Sequence, residues 1–361
     1  MDENRSYFSN KLIHWYLHNK RELPWRKTND PYKIWLSEII LQQTRVSQGL
    51  PYYYKFLEAF PTIKELALAE EDEVLKLWQG LGYYSRARNL HTTAKNVYHN
   101  MEGVFPLEFI DILKLKGVGD YTASAITSIC YNYPAAVVDG NVYRVLARVF
   151  EIETPINSTI GIKEFKALAQ DLIDTDQPGI YNQAIMEFGA RYCVPQNPDC
   201  ENCIFNDRCL AFKNGKVSVL PIKIKSKPVK KRFFNYLVVV SENDKTLIHQ
   251  RTKKGIWQKL YEFPLIETTS EVDLIQLESL PQFQEFSELY NFESVSLYNE
   301  KSKIHKLSHQ HLLTKFWIVN TAEFTSEEKI LSEESIPLSE IKKYAVPVLI
   351  ADFVSEFFSS Y

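Results

Sequence analysis

Four of the five cysteines in this chain are crowded into one short stretch, and this clustering limits the possible folds more than any other feature. Cys193, Cys200, Cys203 and Cys209 follow the spacing C-x6-C-x2-C-x5-C. Four thiolates on one short loop can wrap a single tetrahedral metal ion or a single cubane cluster. Spacing does not separate zinc from iron–sulfur, although zinc sites more often contain two C-x2-C pairs. The fifth, Cys130, lies apart on an apolar helix face, where we expect a small buried hydrophobic side chain.

The length and the change in sequence pattern predict more than one domain. A chain of 361 residues is too long for one ordinary core. In residues 1–222 apolar side chains recur at helical spacing, for example at Phe8, Leu12, Trp15 and Tyr16, and no convincing strand is present. We therefore expect an all-α first domain.

The second domain is predicted to be α+β and to span residues 233–361. Aromatic and β-branched runs predict strands at Phe233–Val240, Thr246–Arg251 and Thr314–Val319, and a closing helix is expected at Val348–Phe358. Between the domains, residues 223–232 carry six basic side chains and one proline, a composition typical of a linker.

No apolar run approaches the roughly 18 residues that a transmembrane helix needs. The first residues are polar and of mixed charge, which is unlike a signal peptide. We therefore expect a cytoplasmic protein, and in that reducing compartment clustered cysteines indicate metal ligation rather than disulfides.

The segment Leu115–Ala123 contains two glycines, Gly117 and Gly119, on either side of Val118. It lies between an apolar turn and an apolar helix that starts near Tyr121, which predicts a helix–hairpin–helix over about residues 111–131. Without Cβ atoms, such a hairpin can bring its backbone amides up to a phosphate, and the following helix adds its positive N-terminal end. Many helix–helix turns contain G-x-G, so the motif alone is weak.

Two carboxylates have unusual sequence surroundings. Glu38 lies in the apolar stretch Ile34–Leu41, where burial would raise its pKa and suit it to donate a proton. Asp139 follows an apolar run and precedes Gly140, and at the mouth of a helix it can stay ionised and stabilise positive charge. Either residue alone is more often a salt-bridged or N-capping acid. Beside a nucleic-acid cradle, however, an acid and an anion form the pair that cuts a glycosidic bond.

Amide and aromatic side chains cluster at Gln42–Gln43–Thr44 and again at Gly80–Arg88. Near a basic stretch such groups can fill the space left by an extruded base. Ordinary helix ends with core tyrosines explain the same composition equally well.

Taken together, these motifs resemble those of the adenine DNA glycosylases of the MutY family, within the helix–hairpin–helix glycosylase superfamily. The resemblance spans most of the chain. It includes the hairpin and the four-cysteine loop together with the segments Leu23–Arg26, Ser37–Val46, Gly80–Arg86, Val138–Val145 and Glu187–Ala190.

The resemblance implies an enzyme of base excision repair that flips out and excises adenine mispaired with 8-oxoguanine or guanine. The acid that matches Glu38 protonates adenine N7, and the carboxylate that matches Asp139 stabilises the oxocarbenium-like sugar, through a transient covalent adduct. Tyr121 and Asn141 fall at positions that support this carboxylate.

Further roles follow from the resemblance. The residues matching the surroundings of the flipped adenine are Trp25, Arg26, Leu41 and Glu187. Gln43 and Tyr83 match side chains wedged into the duplex, and Gln42 and Thr44 belong to the same DNA-contacting stretch. The cysteine loop is similar to one that holds a single 4Fe–4S cluster, which positions a DNA-binding loop and is not the catalyst. The resemblance also implies a monomer whose partner is double-stranded DNA.

Endonuclease III, the related lyase, carries a lysine immediately before Thr-Ala in its hairpin. The corresponding residue here is Tyr121, and a phenol cannot form a Schiff base. This favours a glycosylase without lyase activity over a lyase or a thymine or uracil glycosylase. A non-catalytic iron–sulfur DNA-binding protein is a third possibility, in which Glu38 and Asp139 would be dispensable.

The C-terminal domain resembles the MutT-like domain of the same family through Gly255–Trp257 and Leu260–Pro264. No arginine follows Arg251, so the magnesium-binding Nudix motif is missing and nucleotide hydrolysis is not expected. The expected role is to read 8-oxoguanine. The family's Phe-Ser-His loop corresponds here to Leu307, Ser308 and His309, without the phenyl ring.

The formal net charge of −3 argues at first against a nucleic-acid partner. This total conceals a +6 linker between domains of −2 and −7. DNA binding should therefore depend on hairpin amides, a helix end and individual arginines rather than on bulk charge.

Overall fold

The computed structural model describes residues 2–225, 228–322 and 334–358. They form two compact units, one of Met1–Leu68 with Asn89–Ser226 and one of Ala69–Arg88 with Lys227–Tyr361. The assignment of residues 69–88 differs from the sequence-based division, which placed them in the helical domain. Within the second unit, Lys76 Nζ donates to the Tyr344 carbonyl at 2.9 Å, and the Tyr261 hydroxyl donates to Asp72 at 3.1 Å.

The described residues before Lys230 contain helices and no strand, which confirms the all-α prediction. The helices are α1 (Asp2–Asn19), α2 (Pro31–Leu41), α3 (Val46–Ala59), α4 (Ile63–Leu68), α5 (Glu71–Leu77), α6 (Ser85–Asn100), α7 (Phe109–Leu113), α8 (Asp120–Tyr131), α9 (Gly140–Val149), α10 (Thr159–Leu172), α11 (Pro178–Arg191) and α12 (Leu210–Lys213), with a 3-10 turn at Pro24–Arg26.

Side-chain capping determines where α2, α9 and α10 begin, and the first two of these helices carry site residues. Asp30 accepts from the backbone N–H of Tyr32 at 2.9 Å, and Pro31 supplies the first residue of α2 without needing an N–H partner. Asp139 caps α9 in the same way, and Ser158 caps α10. The start of α9 is therefore fixed by the same carboxylate that the sequence singled out for chemistry.

The core of the first unit is built where α1, α9, α10 and α11 pack together. Leu12, Leu146 and Phe165 are fully enclosed there, and Trp15 packs edge-on against Phe188 with ring centroids 5.1 Å apart. A core of this kind holds the N-terminal ends of α8 and α9 rigidly, and the candidate site is built at those ends.

The predicted hairpin is present as α7, a tight turn and α8. Gly117 has a φ of +80°, and a Cβ there would lie 2.7 Å from the Cβ of Asn89. This position therefore needs glycine both for its backbone angle and for space.

The second unit contains β1 (Lys230–Ser241), β2 (Lys245–Gln250), β3 (Tyr261–Glu262), β4 (Leu265–Thr268), α13 (Leu274–Glu278), α14 (Pro281–Tyr290), β5 (Phe292–Leu297), β6 (Lys303–Lys306), β7 (Gln310–Thr321), β8 (Glu334–Pro337), a 3-10 turn (Leu338–Lys343) and α15 (Val348–Phe357). The central strands β1 and β7 are parallel and pair from Lys230↔Gln310 to Ser241↔Thr321. The sheet order is β3-β2-β1-β7-β5, with β4 pairing β1, β6 pairing β7 and β8 pairing β2.

Alternating side chains of the central strands bury both faces of this sheet. Leu237 and Trp317 belong to a cluster that includes Leu277 of α13. On β7, Phe316 stacks on Phe353 of α15 with centroids 4.1 Å apart. The three predicted strands and the closing helix are confirmed, and so is the fold class. The short strands β3 to β6 and β8 were not predicted.

The predicted linker, residues 223–232, is described only in part, since residues 226 and 227 lie outside the described residues, and its last three residues belong to β1. Among the described residues, no helix combines the length and the apolar character needed to cross a membrane.

Candidate active site

Glu38 lies on α2 and is only 7% exposed. Burial raises the pKa of Glu38 to about 7, and the nearby charge of Asp139 acts in the same direction. A hydrogen bond from Tyr121 and the charge of Arg26 oppose this rise. A carboxyl group with this pKa holds a proton in a substantial fraction of molecules at neutral pH, as a general acid must.

Tyr121 lies in the first turn of α8 and adjoins both carboxylates. Burial raises the pKa of its phenol well above the ordinary value, and the charges of Glu38 and Asp139 raise it further. The hydroxyl group therefore stays protonated, and it also donates to Met186 Sδ at 3.0 Å. It can donate a hydrogen bond to a carboxylate but is not a nucleophile at neutral pH.

Asp139 accepts three hydrogen bonds at the start of α9. The backbone N–H groups of Asn141 and Val142 each donate to Oδ1 at 2.8 Å, and the Asn141 side-chain amide donates to Oδ2 at 2.8 Å. Burial raises the pKa of Asp139 above its ordinary value, and these donors and Arg144 limit that rise without reversing it. Three donors and a helix N-terminus favour the ionised form.

The structure thus brings Glu38, Tyr121, Asp139 and Asn141 together from three helices. Glu38 is held by apolar surroundings that favour its protonated form, whereas Asp139 is held by donors that favour its charge. Burial raises the pKa of both groups, but only Asp139 has several donors that stabilise its charge, and such a difference in surroundings is how enzymes separate an acid from an anion.

Arg144 connects this site to the cysteine loop. Its sequence surroundings did not predict this role, although it lies in one of the matching motifs. Its Nη2 donates to Asn141 Oδ1 at 2.9 Å and to the Gly189 carbonyl, and its Nε donates to the Cys193 carbonyl at 2.7 Å. A Cβ at Gly189 would lie 2.7 Å from the Cβ of Asn141, so α11 can approach α9 this closely only with glycine.

Glu187 is fully buried and paired with two arginines. Arg21 donates to it through Nε at 2.8 Å and Nη2 at 2.6 Å, and Arg26 donates through Nη2 at 2.7 Å. Burial alone would raise the pKa of Glu187, but the hydrogen bonds from Arg21 and Arg26 outweigh it and lower the pKa to about 2. Glu187 is therefore a permanent anion that orients Arg26, and Arg21 was missed by the sequence reasoning.

Trp25 of the 3-10 turn and Leu41 at the end of α2 both pack against α3. Trp25 is buried and meets Tyr53 edge-on with centroids 5.2 Å apart. A Cβ at Gly49 would lie 2.9 Å from Leu41 Cδ2, so α3 packs closely on this leucine.

The turn after α2 places the predicted DNA-contacting amides. Gln42 donates to Thr122 Oγ1 at 3.4 Å, and the Thr44 hydroxyl donates to the Gln42 carbonyl at 3.3 Å. Between them, Gln43 is exposed and has a φ of +56°, an uncommon angle for a residue with a side chain. Such backbone strain often occurs at functional positions.

In the hairpin, the predicted DNA-contacting residues Gly117, Val118 and Gly119 differ in how open their backbone is to a phosphate. The Val118 side chain is buried, and its N–H donates to the Leu115 carbonyl at 3.1 Å. The amides that can meet a phosphate are therefore those at the start of α8, from Gly119 onward. A Cβ at Gly119 would have no neighbour within 4 Å, so the space above this residue is open.

The four clustered cysteines line one small cavity together with Phe205. Among the described residues, however, no group of three or more His, Cys, Asp or Glu side chains is close enough for a single metal ion. Four thiols around one cavity are a donor set that suits a tetrahedral ion or a cubane cluster. Burial raises the pKa of Cys203 to about 12, so binding such a group would displace its proton.

Arg148 holds the beginning of this loop. It is buried and donates through Nη1 to the Val194 carbonyl at 2.7 Å and through Nη2 to the Pro195 carbonyl at 2.9 Å, with Cys193 Sγ at 3.5 Å. Cys130, in contrast, lies apart on α8 and is only partly buried, although burial still raises its pKa to about 12.

In the second unit, the segment 80–88 forms a turn stabilised by Arg86, which donates to the carbonyls of Leu81 and Gly82 at 3.1 and 3.2 Å. Tyr83 at its tip has a φ of +47° and is 51% exposed, and its hydroxyl is hydrogen-bonded to Ser308 Oγ. Ser308 and His309 are both exposed on the loop between β6 and β7.

This turn and this loop line a cavity of about 470 Å³ in the second unit. Its walls also include the segments Gly255–Trp257 and His305–Gln310, and the Trp257 ring lies 5.7 Å from that of His305. The volume is within the range of small-molecule sites and is large enough for a nucleobase.

Comparison with known proteins agrees with this geometry. Residues 36–170 match the family described as HhH-GPD superfamily base excision DNA repair protein, and residues 235–356 match the NUDIX domain family. The fold and the site thus define a DNA glycosylase of the helix–hairpin–helix class, a hydrolase.

Comparison with individual relatives identifies the family within this class of DNA glycosylases. The chain is 33% identical over 315 residues to the adenine DNA glycosylase of Buchnera aphidicola subsp. Baizongia pistaciae, with 86% of each chain covered. It is 42% identical over 213 residues to that of Homo sapiens, covering 56% of this chain and 39% of the human protein. The chain belongs to the adenine DNA glycosylase family.

Solved structures support the fold of the helical part. A thermostable thymine-DNA glycosylase superposes with a TM-score of 0.55 at 29% identity, covering 59% of this chain and 98% of that protein. Endonuclease III in a complex with DNA superposes with a TM-score of 0.52 at 20% identity, covering 60% and 98%, and shows the fold alone.

Proposed function

We propose that this protein is a monofunctional glycosylase that flips out adenine mispaired with 8-oxoguanine or guanine and hydrolyses its N-glycosidic bond. The observation that carries the proposal is the pairing of Glu38, a buried acid with a pKa of about 7, with Asp139, a carboxyl group that accepts three hydrogen bonds at the start of α9.

In the proposed reaction, Glu38 donates its proton to N7 of the flipped adenine. Protonation withdraws electrons from the glycosidic bond, so the base leaves as a neutral molecule. The sugar then carries positive charge, which the Asp139 carboxylate stabilises directly or as a transient covalent adduct. Water attacks the sugar carbon, and its proton returns to a carboxylate, which completes the hydrolysis and leaves an abasic site.

Tyr121 supports the absence of lyase activity. Strand cleavage by β-elimination needs an amine that can form a Schiff base with the sugar. At this position of α8 the chain has a phenol whose pKa lies well above the ordinary value. Its hydroxyl instead donates a hydrogen bond within the site, to Met186 Sδ at 3.0 Å.

The base opposite the adenine is proposed to be read in the second unit. Ser308 and His309 offer exposed polar groups beside the cavity, and the hydrogen bond between the Tyr83 and Ser308 hydroxyl groups holds Ser308 in place. Nucleotide hydrolysis is not proposed. The buried Glu262 is occupied by Tyr236, whose hydroxyl donates to it at 2.9 Å, and by ion pairs with Arg251 and His249.

We further propose that Cys193, Cys200, Cys203 and Cys209 hold one 4Fe–4S cluster. The group would tie the loop after α11 into a fixed shape, and the contacts of Arg144 and Arg148 would transmit that shape to α9. A cytoplasmic monomer is expected, as the sequence predicted. Iron analysis and visible absorbance of the purified protein test the cluster, and zinc in its place would contradict it.

The activity is tested with a duplex that contains adenine opposite 8-oxoguanine, followed by treatment with alkali. Breaks that appear only after alkali support a monofunctional adenine glycosylase. Breaks without alkali would show a lyase, and no breaks under either condition would show a binding protein without catalysis. Duplexes with adenine opposite thymine and thymine opposite guanine serve as controls for specificity.

A further inference from the structure

Side chains from two helices hold the polypeptide that leads into Asp139. Residues 134–138 connect α8 to α9, belong to neither helix nor strand, and have several backbone groups bonded by side chains. Gln170 donates to the Pro134 carbonyl at 2.7 Å and accepts from the Ala136 N–H at 3.1 Å. Asn182, which is fully buried, accepts from the Val137 N–H at 3.1 Å.

Asn182 also donates to the Ala135 carbonyl at 2.8 Å, and a lysine of α10 makes a further contact with this segment. Lys166 Nζ donates to the Ala136 carbonyl at 2.7 Å and to Ser124 Oγ at 3.1 Å, and it forms an ion pair with Asp120 Oδ2 at 2.7 Å. An ammonium group has three hydrogens and no acceptor, so these partners satisfy it completely. The Lys166 ammonium group therefore joins its own helix α10 to α8 and to the segment that leads into Asp139. The bonded carbonyl, that of Ala136, lies three residues before Asp139.

The position of Asp120 makes this contact relevant to DNA. Asp120 is the first residue of α8 and directly follows Gly119, where the free amides of the hairpin begin. Its side chain is 52% exposed, so its negative charge lies beside the proposed phosphate position. A carboxylate there stabilises the helix N-terminus but repels a phosphate. The Lys166 ammonium offsets that repulsion.

We propose that Lys166 is a positioning residue that fixes Asp139 relative to the DNA-binding hairpin while neutralising Asp120. The inference rests on the proposed function, since it assigns Lys166 a part in the same reaction. Loss of Lys166 would free the segment before Asp139 to shift, and a displacement of about 1 Å can cost about 10²-fold in rate.

Lys166→Met removes all three contacts, and Lys216→Met is its matched control. Lys216 also bridges two partners, Glu151 and Glu153, each at 2.6 Å, and its side chain is 39% exposed against 33% for Lys166. The measured quantities are the single-turnover excision rate at saturating DNA, the affinity for DNA and the melting temperature. We expect Lys166→Met to lose at least about tenfold in saturating rate, with Lys216→Met near wild type at a similar melting temperature.

The Asp120→Asn variant tests the effect of the Asp120 charge separately from the positioning of Asp139. The single variant should bind DNA several-fold more tightly with an unchanged saturating rate, because the Ala136 contact is kept. In the double variant with Lys166→Met, affinity should return to at least that of the wild type while the saturating rate stays low.

A saturating rate for Lys166→Met within about twofold of wild type would overturn the proposal, as would recovery of that rate in the double variant, which would show that Lys166 acts through charge alone. These failures differ from failure of the proposed function, in which the wild-type protein itself would release no adenine from the mispair.

Discussion

Replacing Glu38 by glutamine should stabilise this protein at alkaline pH while it abolishes excision. The amide nearly preserves the shape of the protonated carboxyl group but cannot donate a proton to adenine or carry a negative charge. The stability of Glu38→Gln should therefore match that of the wild type where Glu38 is protonated and exceed it where Glu38 is ionised.

The magnitude follows from the pKa of Glu38. Its rise from 4.5 to about 7 corresponds to about 3 kcal/mol of folding free energy, since one pKa unit is worth about 1.4 kcal/mol. The folded state binds the proton more tightly than the unfolded state, so this carboxyl group favours folding most below pH 4.5. That advantage is lost as the pH rises through the folded pKa, and at pH 8 the ionised carboxylate weakens the wild type by nearly the full amount.

The assay is denaturant unfolding of wild type and variant between pH 5 and pH 8, monitored by tryptophan fluorescence. Because a chain of two units need not unfold in one step, the transition of the helical unit is compared between the proteins. We expect the difference between variant and wild type to be about 1 kcal/mol at pH 5, where the unfolded chain is already largely ionised, and to approach about 3 kcal/mol at pH 8.

Glu65→Gln provides a control of opposite sign. Hydrogen bonds from Thr62 lower the pKa of Glu65, so its contribution to stability is present at high pH and is lost on acidification. The stability difference of the Glu65→Gln variant should therefore stay nearly constant between pH 5 and pH 8 and shrink only on further acidification. A difference for Glu38→Gln that does not change between pH 5 and pH 8 would refute the reasoning, because Glu38 would then have no raised pKa and no advantage as a general acid.

Three further outcomes follow from the same site. Asp139→Asn should keep mispair binding and abolish excision, measured by gel shift and single-turnover kinetics, and near-wild-type turnover would contradict the assignment. The excision rate of the wild type should fall about tenfold per pH unit above about pH 7 as Glu38 loses its proton, and a flat profile to pH 9 would exclude that role. Glu187→Gln should lower the free energy of unfolding by about 3 kcal/mol, because Arg21 and Arg26 lose their carboxylate, and an unchanged melting temperature would show that the pair contributes little.

Much of the candidate site could be predicted because its residues lie in local patterns. Glu38 is surrounded in sequence by apolar residues of one helix, so its burial and raised pKa follow from the helix being in the core. Asp139 precedes a glycine at a helix start, and its capping bonds are made within three residues. The roles of these residues in catalysis stay predictions that the experiments above test.

Other features depend on contacts between distant parts of the chain and left no local signal. Arg21 reaches Glu187 across 166 residues, and Lys166 reaches Ala136 from another helix. The sequence pattern of residues 69–88 is helical and placed them in the first domain, but their contacts place them in the second unit. A periodic pattern reports which face of a helix is buried but not which partner covers it.

The sequence by itself determined the elements of this protein: a helical region, a glycine hairpin, a four-cysteine loop, a β-rich second domain and two carboxylates in helical settings. These depend on interactions over a few residues, which the chain encodes directly. Only the tertiary structure decided how the carboxylates differ. Burial beside Tyr121 raises the pKa of Glu38 to about 7, while three donors at Asp139 limit the rise that burial gives its pKa. Desolvation and hydrogen bonding depend on everything packed around a group, and only the folded chain supplies those neighbours.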